Sequence, residues 1–111
     1  MTMSESADLL QGTLDLLILR TLALQPLHGI GVSDRIRQIT SGVFEVKPGS
    51  LFPALHRLEE RGWIAGEWSR AESGRRARFY KLTATGRKRL ACETRAWRTA
   101  AGAIESVLTA G

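Results

Sequence analysis

Two short stretches of this 111-residue chain hold the residues that could do chemistry: "KPGSLFPALHR" at 47–57 and "RAESGRRARFYK" at 70–81. The first offers Lys47, Ser50, His56 and Arg57, with unpaired backbone N–H groups expected at Gly49 and Ser50. The second sets Arg70, Arg75, Arg76, Arg78 and Lys81 against Glu72, a net of +4 over twelve residues. Cations and N–H donors gathered at the start of a helix suit phosphate and other anions. Catalysis is poorly supplied. His28 and His56 have no Gly-x-Ser-x-Gly nucleophile to serve, and the "HGIG" stretch stands without one. The single cysteine, Cys92, allows neither an intrachain disulfide nor a thiolate cluster, and no metal-ligand spacing is present. No catalytic residue, metal or cofactor is expected.

Charge is distributed regionally. Of 16 basic and 11 acidic residues, residues 1–56 hold 4 and 5, and residues 57–111 hold 12 and 6. The net charge of +5 therefore belongs to the second half, which points to a polyanionic partner. The opening "MTMSESADLLQ" is acidic and polar, unlike a signal peptide. No apolar run approaches the roughly 20 residues that cross a bilayer. A cytoplasmic chain without membrane contact is expected.

The elements that must position these residues follow from periodicity. "DLLQGTLDLLILRTLALQP" reads as a helix over 8–26 that is apolar almost all round and ended by Pro26. Leu10, Leu14, Leu17 and Ile18 are expected to fill the core, while Leu9, Leu16 and Leu19 call for a second surface. Val32, Ile36 and Ile39 mark a shorter helix entered through Gly29 and Gly31, and "SGVFEV" reads as an extended link. A third helix starts at Pro48, where a missing N–H costs nothing, and stops at Gly62. Its leucines, Leu51, Leu55 and Leu58, share one stripe. Pro53, His56, Arg57 and Glu60 are expected to face away from it.

Beyond Gly62 the period changes. "WIAGEWSR" and "RRARFYKLT" predict a β-hairpin turning around Ser73 and Gly74 and leaning on the helices through Ile64, Trp68, Tyr80 and Leu82. From Thr83 a long helix carries Leu90, Thr94, Trp97, Ala101, Ile104 and Leu108 at alternating spacings of four and three, a coiled-coil seam that suits a second chain.

Three helices and a charged hairpin, in that order, are the arrangement of a winged helix-turn-helix: mainly α with a small β-hairpin (α+β), with a long C-terminal dimerisation helix. We assign 1–82 to the DNA-binding domain and 83–111 to the dimerisation helix, packed with helix 8–25 as one unit. The partner expected is double-stranded DNA, whose major groove admits one helix. In it His56 and Arg57 would read bases, Arg57 by bonding guanine bidentately. Lys47 and Ser50 would touch phosphate, and the Pro53 ring would lie on a thymine methyl. Arg70, Arg75, Arg76 and Arg78 form the wing, with Arg75 and Arg76 nearest a narrow minor groove. "GRKR" at 86–89 reads as the wet side of the last helix. The alternative is a winged-helix protein-interaction module whose basic wing meets an acidic partner.

"LLQGTLDLLILRTL", "HGIGVSDRI", "PGSLFPALHRLEERGWI", "RARFYKLTATGRKRL" and the tryptophan of the last helix together resemble the PadR family of bacterial transcriptional regulators, in its short form with a single C-terminal helix. The resemblance runs from about Leu9 to Leu108. It implies a winged-helix homodimer, usually a repressor, on an inverted-repeat operator. Its dimer interface would fall on the first and last helices, here Leu9, Leu16, Leu90, Trp97, Ala101, Ile104 and Leu108. It also implies that Trp97 is a candidate for stacking on a small flat aromatic effector, beside its plainer use in dimer packing. Two departures stand out. Phe52 replaces a tyrosine and has no hydroxyl for phosphate, and Lys47 occupies a position where a capping residue is common.

Overall fold

An almost uniformly apolar helix is stable in water only when neighbours cover it on several sides. In a computed structural model, which describes residues 7–70 and 73–111 except for the side chains of residues 7–11, α1 (Ala7–Leu24) is that helix. It packs against α2 (Gly29–Ile39), α3 (Pro48–Glu60), β3 (Arg76–Leu82) and α4 (Ala84–Leu108). Ile18, Leu19 and Leu22 are buried, with Leu14 and Leu17 partly so. Leu19 thus joins the chain's own core and needs no second protomer, which corrects the expectation for that residue. The apolar circumference follows from α1 being the central helix. Leu16 is half-buried, and the side chains of Leu9 and Leu10 lie outside the described residues.

The sheet has three strands in the order β1-β3-β2, with β2 spanning Ile64–Arg70. The outer strand β1 (Leu27–His28) pairs antiparallel with Tyr80 and Phe79 of β3. Two residues are too few to show a period of two, so nothing local separates them from the helix that follows. His28 then serves a second purpose as N-cap of α2, its Nδ1 accepting the Gly31 N–H at 3.1 Å. Its ring meets Phe79 edge-on. At Gly29 a Cβ would come within 2.8 Å of the Phe52 ring, so a glycine lets α2 and α3 approach closely. The "HG" pair is therefore part of the frame.

Helices α2 and α3 are joined through a turn in which Ser41 (φ 52°) and Gly42 (φ 83°) are left-handed, after which Phe44 and Val46 pack on the core. Leu51, Ala54, Leu55 and Leu58 bury the inner stripe of α3. Each leucine so buried contributes about 1.5–3 kcal/mol. Their spacing decides which residues α3 turns outward.

The hairpin joins α4 at a tight junction. The Thr83 hydroxyl accepts from the Gly86 N–H at 2.9 Å, capping α4, and donates to the Gly62 carbonyl at 2.7 Å. The Thr83 N–H bonds the Trp63 carbonyl at 3.1 Å. A Cβ on buried Gly86 would run into that same Trp63 carbonyl and the Leu82 side chain. Trp68 departs from expectation: instead of leaning on the helices it is 58% exposed, because at this point of β2 the strand has passed beyond the helical layer. Of the apolar hairpin residues, Ile64, Tyr80 and Leu82 do reach the core.

Gly86→Ala should destabilise the chain by at least about 2 kcal/mol, since the obstacle is backbone and cannot swing aside. A thermal melt checks this.

Candidate nucleic-acid interface

Proline at the first position of α3 makes its N-terminal end stiff and poor in donors. Lys47 is the N-cap but makes no side-chain cap bond; its ammonium sits 3.9 Å from Glu45. The Ser50 N–H bonds the Lys47 carbonyl at 3.0 Å, as does that of Leu51 at 2.9 Å. Ser50 therefore has no spare backbone donor, contrary to expectation, because the first turn closes in 3₁₀ fashion. Pro48 has no N–H, so Gly49 is the outward donor of this turn. Pro53 lies inside the helix, on its exposed side. Ser50, Pro53 and His56 form the open face, and the His56 Nε2 meets Glu60 Oε1 at 3.1 Å. Phe52 stands at the edge of that face with its ring against Gly29, so packing accounts for its position without a hydroxyl.

Arg57 does not share the open face. Its Nη2 donates to Asp15 Oδ1 of α1 at 2.6 Å, with side chains only 26% and 17% exposed. This corrects the expectation that Arg57 points away from the leucine stripe. A long side chain at the border of the buried face reaches inward when a carboxylate waits there, and Asp15 on the central helix supplies one.

The wing is likewise divided between tied and free cations. Cross-strand register places Trp68 opposite Arg78 and Arg70 opposite Arg76 on one face. The Arg76 and Arg78 guanidinium groups lie 5.0 and 5.6 Å from the Trp68 ring centroid, within cation–π range. Arg78 also donates to Glu59 of α3. That hydrogen bond raises the Arg78 pKa above its ordinary value. Arg70 donates to the Gly74 carbonyl at 3.3 Å within the hairpin tip. Arg75 and Arg76 are exposed beside the turn, where Gly74 (φ 84°) is left-handed; Glu72 lies outside the described residues. Between α3 and the wing runs an open cleft of about 470 Å³ lined by Phe52, His56, Glu59, Glu60, Arg78 and Tyr80. Burial pushes the Tyr80 phenol above its usual pKa, as does the nearby Glu59 carboxylate, while Arg78 opposes the shift. Tyr80 is thus a neutral hydroxyl on the cleft floor.

Sequence reasoning missed Glu59 and expected Trp68 in the core, whereas it lies beside Arg76 and Arg78. The cross-strand offset between Trp68 and Arg78 was the available signal, since it places an aromatic ring beside a cation once the hairpin turn is set. The contact to Glu59 had no signal, because it depends on how the hairpin lies on α3.

On α4 the expected seam changes character along its length. Leu90 packs on the core, Thr94 bonds the Leu90 carbonyl at 2.7 Å, and Ala101 is half-buried. Trp97, Ile104 and Leu108 are 51%, 59% and 73% exposed. Arg87 and Lys88 face outward, while Arg89 pairs with Glu93 and lies over the Trp63 ring. No group of residues suited to hold a metal ion occurs among the described residues, and no helix among them is long and apolar enough to cross a membrane.

Arg57→Ala and Asp15→Ala should each lower stability by about 1 kcal/mol, and the double variant by less than the sum. Denaturant titration of the four chains measures the coupling.

Comparison with known proteins agrees with this architecture. Residues 18–92 match the model of the transcriptional regulator PadR-like family. The chain is 36% identical over 79 residues to the transcriptional regulator Rv3488 of Mycobacterium tuberculosis, covering 71% of this chain and 70% of that protein. Its structure is similar to that of a transcriptional regulator from Clostridium thermocellum, with a TM-score of 0.81 at 27% identity over 89% of this chain and 96% of the other. A PadR family transcription regulator from Clostridium difficile gives a TM-score of 0.73 at 26% identity, over 85% and 96%. A matching family model across most of the chain, together with the winged-helix arrangement, makes this chain a transcriptional regulator that belongs to the PadR-like family.

Proposed function

We propose that the chain works as a homodimer that binds an inverted-repeat operator in double-stranded DNA and represses transcription. One arrangement carries this reading: His56 on the open face of α3 and Arg78 of the hairpin line one cleft, and Arg75 and Arg76 are exposed farther out on the same hairpin. With α3 in the major groove and the wing in the neighbouring minor groove, the intervening phosphodiester strand would pass along that cleft. His56 and Pro53 are then the side chains set to meet base edges. Lys47, Gly49 and Ser50 are set to meet phosphate. Arg75 and Arg76 follow the minor groove, with Arg70 supporting the tip. Arg57 acts as a tie from α3 to α1 and contributes to specificity by holding the helix at its angle.

Dimerisation is supported by the bare distal part of α4, where Trp97, Ile104, Val107 and Leu108 are all half-exposed or more. An apolar row of this kind at heptad spacing is stable when paired with its copy. Leu9, Leu16, Leu90 and Ala101 complete the proposed interface. Two recognition helices would then enter successive major grooves roughly 34 Å apart. A flat aromatic effector stacking on Trp97 would act by changing the angle between the two halves.

Selection of bound duplexes from a random pool tests the central claim, and a palindromic consensus is expected. With that duplex, Arg75→Ala should weaken specific and random DNA alike and lower the salt slope by about 1. Affinity independent of salt would instead favour an acidic protein partner. Ile104→Glu should give a monomer by sedimentation and remove most operator affinity.

A further inference from the structure

Arg78 sits in the middle of the basic wing yet is not displayed as a free cation. Its guanidinium bonds Glu59 on α3, and the same Glu59 Oε2 accepts the Gly66 backbone N–H at 3.3 Å. One carboxylate oxygen of the recognition helix therefore holds both strands of the hairpin. Gly66 gives the arginine its path: a Cβ there would lie 2.6 Å from Arg78 Nε and 2.9 Å from Nη2. Trp68, exposed but flanked by Arg76 and Arg78, covers the outer side of the arginine. Beyond Tyr80, Phe79 meets His28 at the start of α2, but on the α3 side Trp68 stands clear of the core, so among the described residues the Glu59 bridge is what ties this part of the hairpin to α3.

We propose that the Glu59–Arg78 bridge, laid across Gly66 and covered by Trp68, is a strut that fixes the angle between wing and recognition helix, making Glu59 an acidic positioning residue that strengthens DNA binding. The inference rests on the DNA-binding reading given above. A carboxylate beside the path of a phosphodiester strand ordinarily weakens binding by repulsion. Here Arg78 neutralises it, and the pair holds Arg75 and Arg76 over the minor groove. Without the strut these cations would have to be ordered at the moment of binding, which lowers affinity. Arg78 is then a brace and not itself a phosphate contact.

The sign of the Glu59→Gln effect separates the two roles. If Arg78 contacts phosphate directly, removing the negative charge beside it leaves binding unchanged or tighter. The strut demands the opposite. In the full chain, Glu59→Gln should bind the selected operator roughly tenfold more weakly, the loss expected of a charge-assisted hydrogen bond. Hydroxyl-radical footprints should lose the flanking minor-groove protection and keep the centre, and the salt slope should fall by about 1 for each phosphate contact released. Gly66→Ala should reproduce this with no change of charge, because the arginine tip can swing away and leave the strand folded. Arg78→Ala should be weaker than Glu59→Gln/Arg78→Ala, since it leaves an uncovered carboxylate in the cleft. Binding by Glu59→Gln as tight as the native chain's, or loss spread evenly over centre and flanks with a lowered melting temperature, would overturn the strut. A native chain that binds no duplex overturns the DNA reading instead. Hydrogen exchange in the free protein then still tests the strut: faster exchange of wing amides in Glu59→Gln and Gly66→Ala supports it, and unchanged exchange refutes it.

Discussion

Burial of Ile18, Leu19 and Leu22 of α1 among four other elements is the constraint from which the other placements follow. A helix this apolar offers little polar surface to water, so α2, α3, β3 and α4 all settle against it. Once Leu51, Leu55 and Leu58 of α3 are committed to that centre, the helix cannot rotate without losing several kcal/mol of buried surface. Ser50, Pro53 and His56 are then turned outward as a consequence of packing. The open face of α3 is the complement of its leucine stripe.

Charged residues in this chain do two different jobs, distinguishable by where their partners lie. Arg57 and Arg78 reach carboxylates on neighbouring elements, Asp15 on α1 and Glu59 on α3, and so tie α3 to the core on one side and to the hairpin on the other. Arg75 and Arg76 are exposed near the tip of the hairpin, and among the described residues neither forms an ion pair with a carboxylate. A basic composition therefore overstates the number of cations free to meet a polyanion. The two bridges are partly shielded, which makes them worth more than the exposed His56–Glu60 and Lys81–Glu67 pairs.

Much of the architecture was legible in the sequence because it depends on local periodicity and punctuation. The helix ended by Pro26, the amphipathic stretch from Pro48 to Gly62, the hairpin around Ser73 and Gly74, and the long last helix all match elements of the structure within a residue or two. The family resemblance rested on the same residues, and Gly29 and Gly86 now have a physical reason: each allows a contact that a Cβ would block. Less legible were the two-residue strand β1, too short for any pattern, and the Ser50 N–H, consumed by the tight first turn of α3.

By itself the sequence determined which residues form the four helices and the two long strands of the hairpin, and which face of α3 is apolar, because propensity, spacing and turn chemistry act within a few residues of chain. Only the tertiary structure decided that Leu19 is core, that Trp68 is not, and that Arg57 and Arg78 are ties. Those outcomes depend on residues 42 and 19 positions apart being brought together. A side chain's partner across such a separation is set by the angle at which whole elements pack, and no short stretch of sequence encodes that angle.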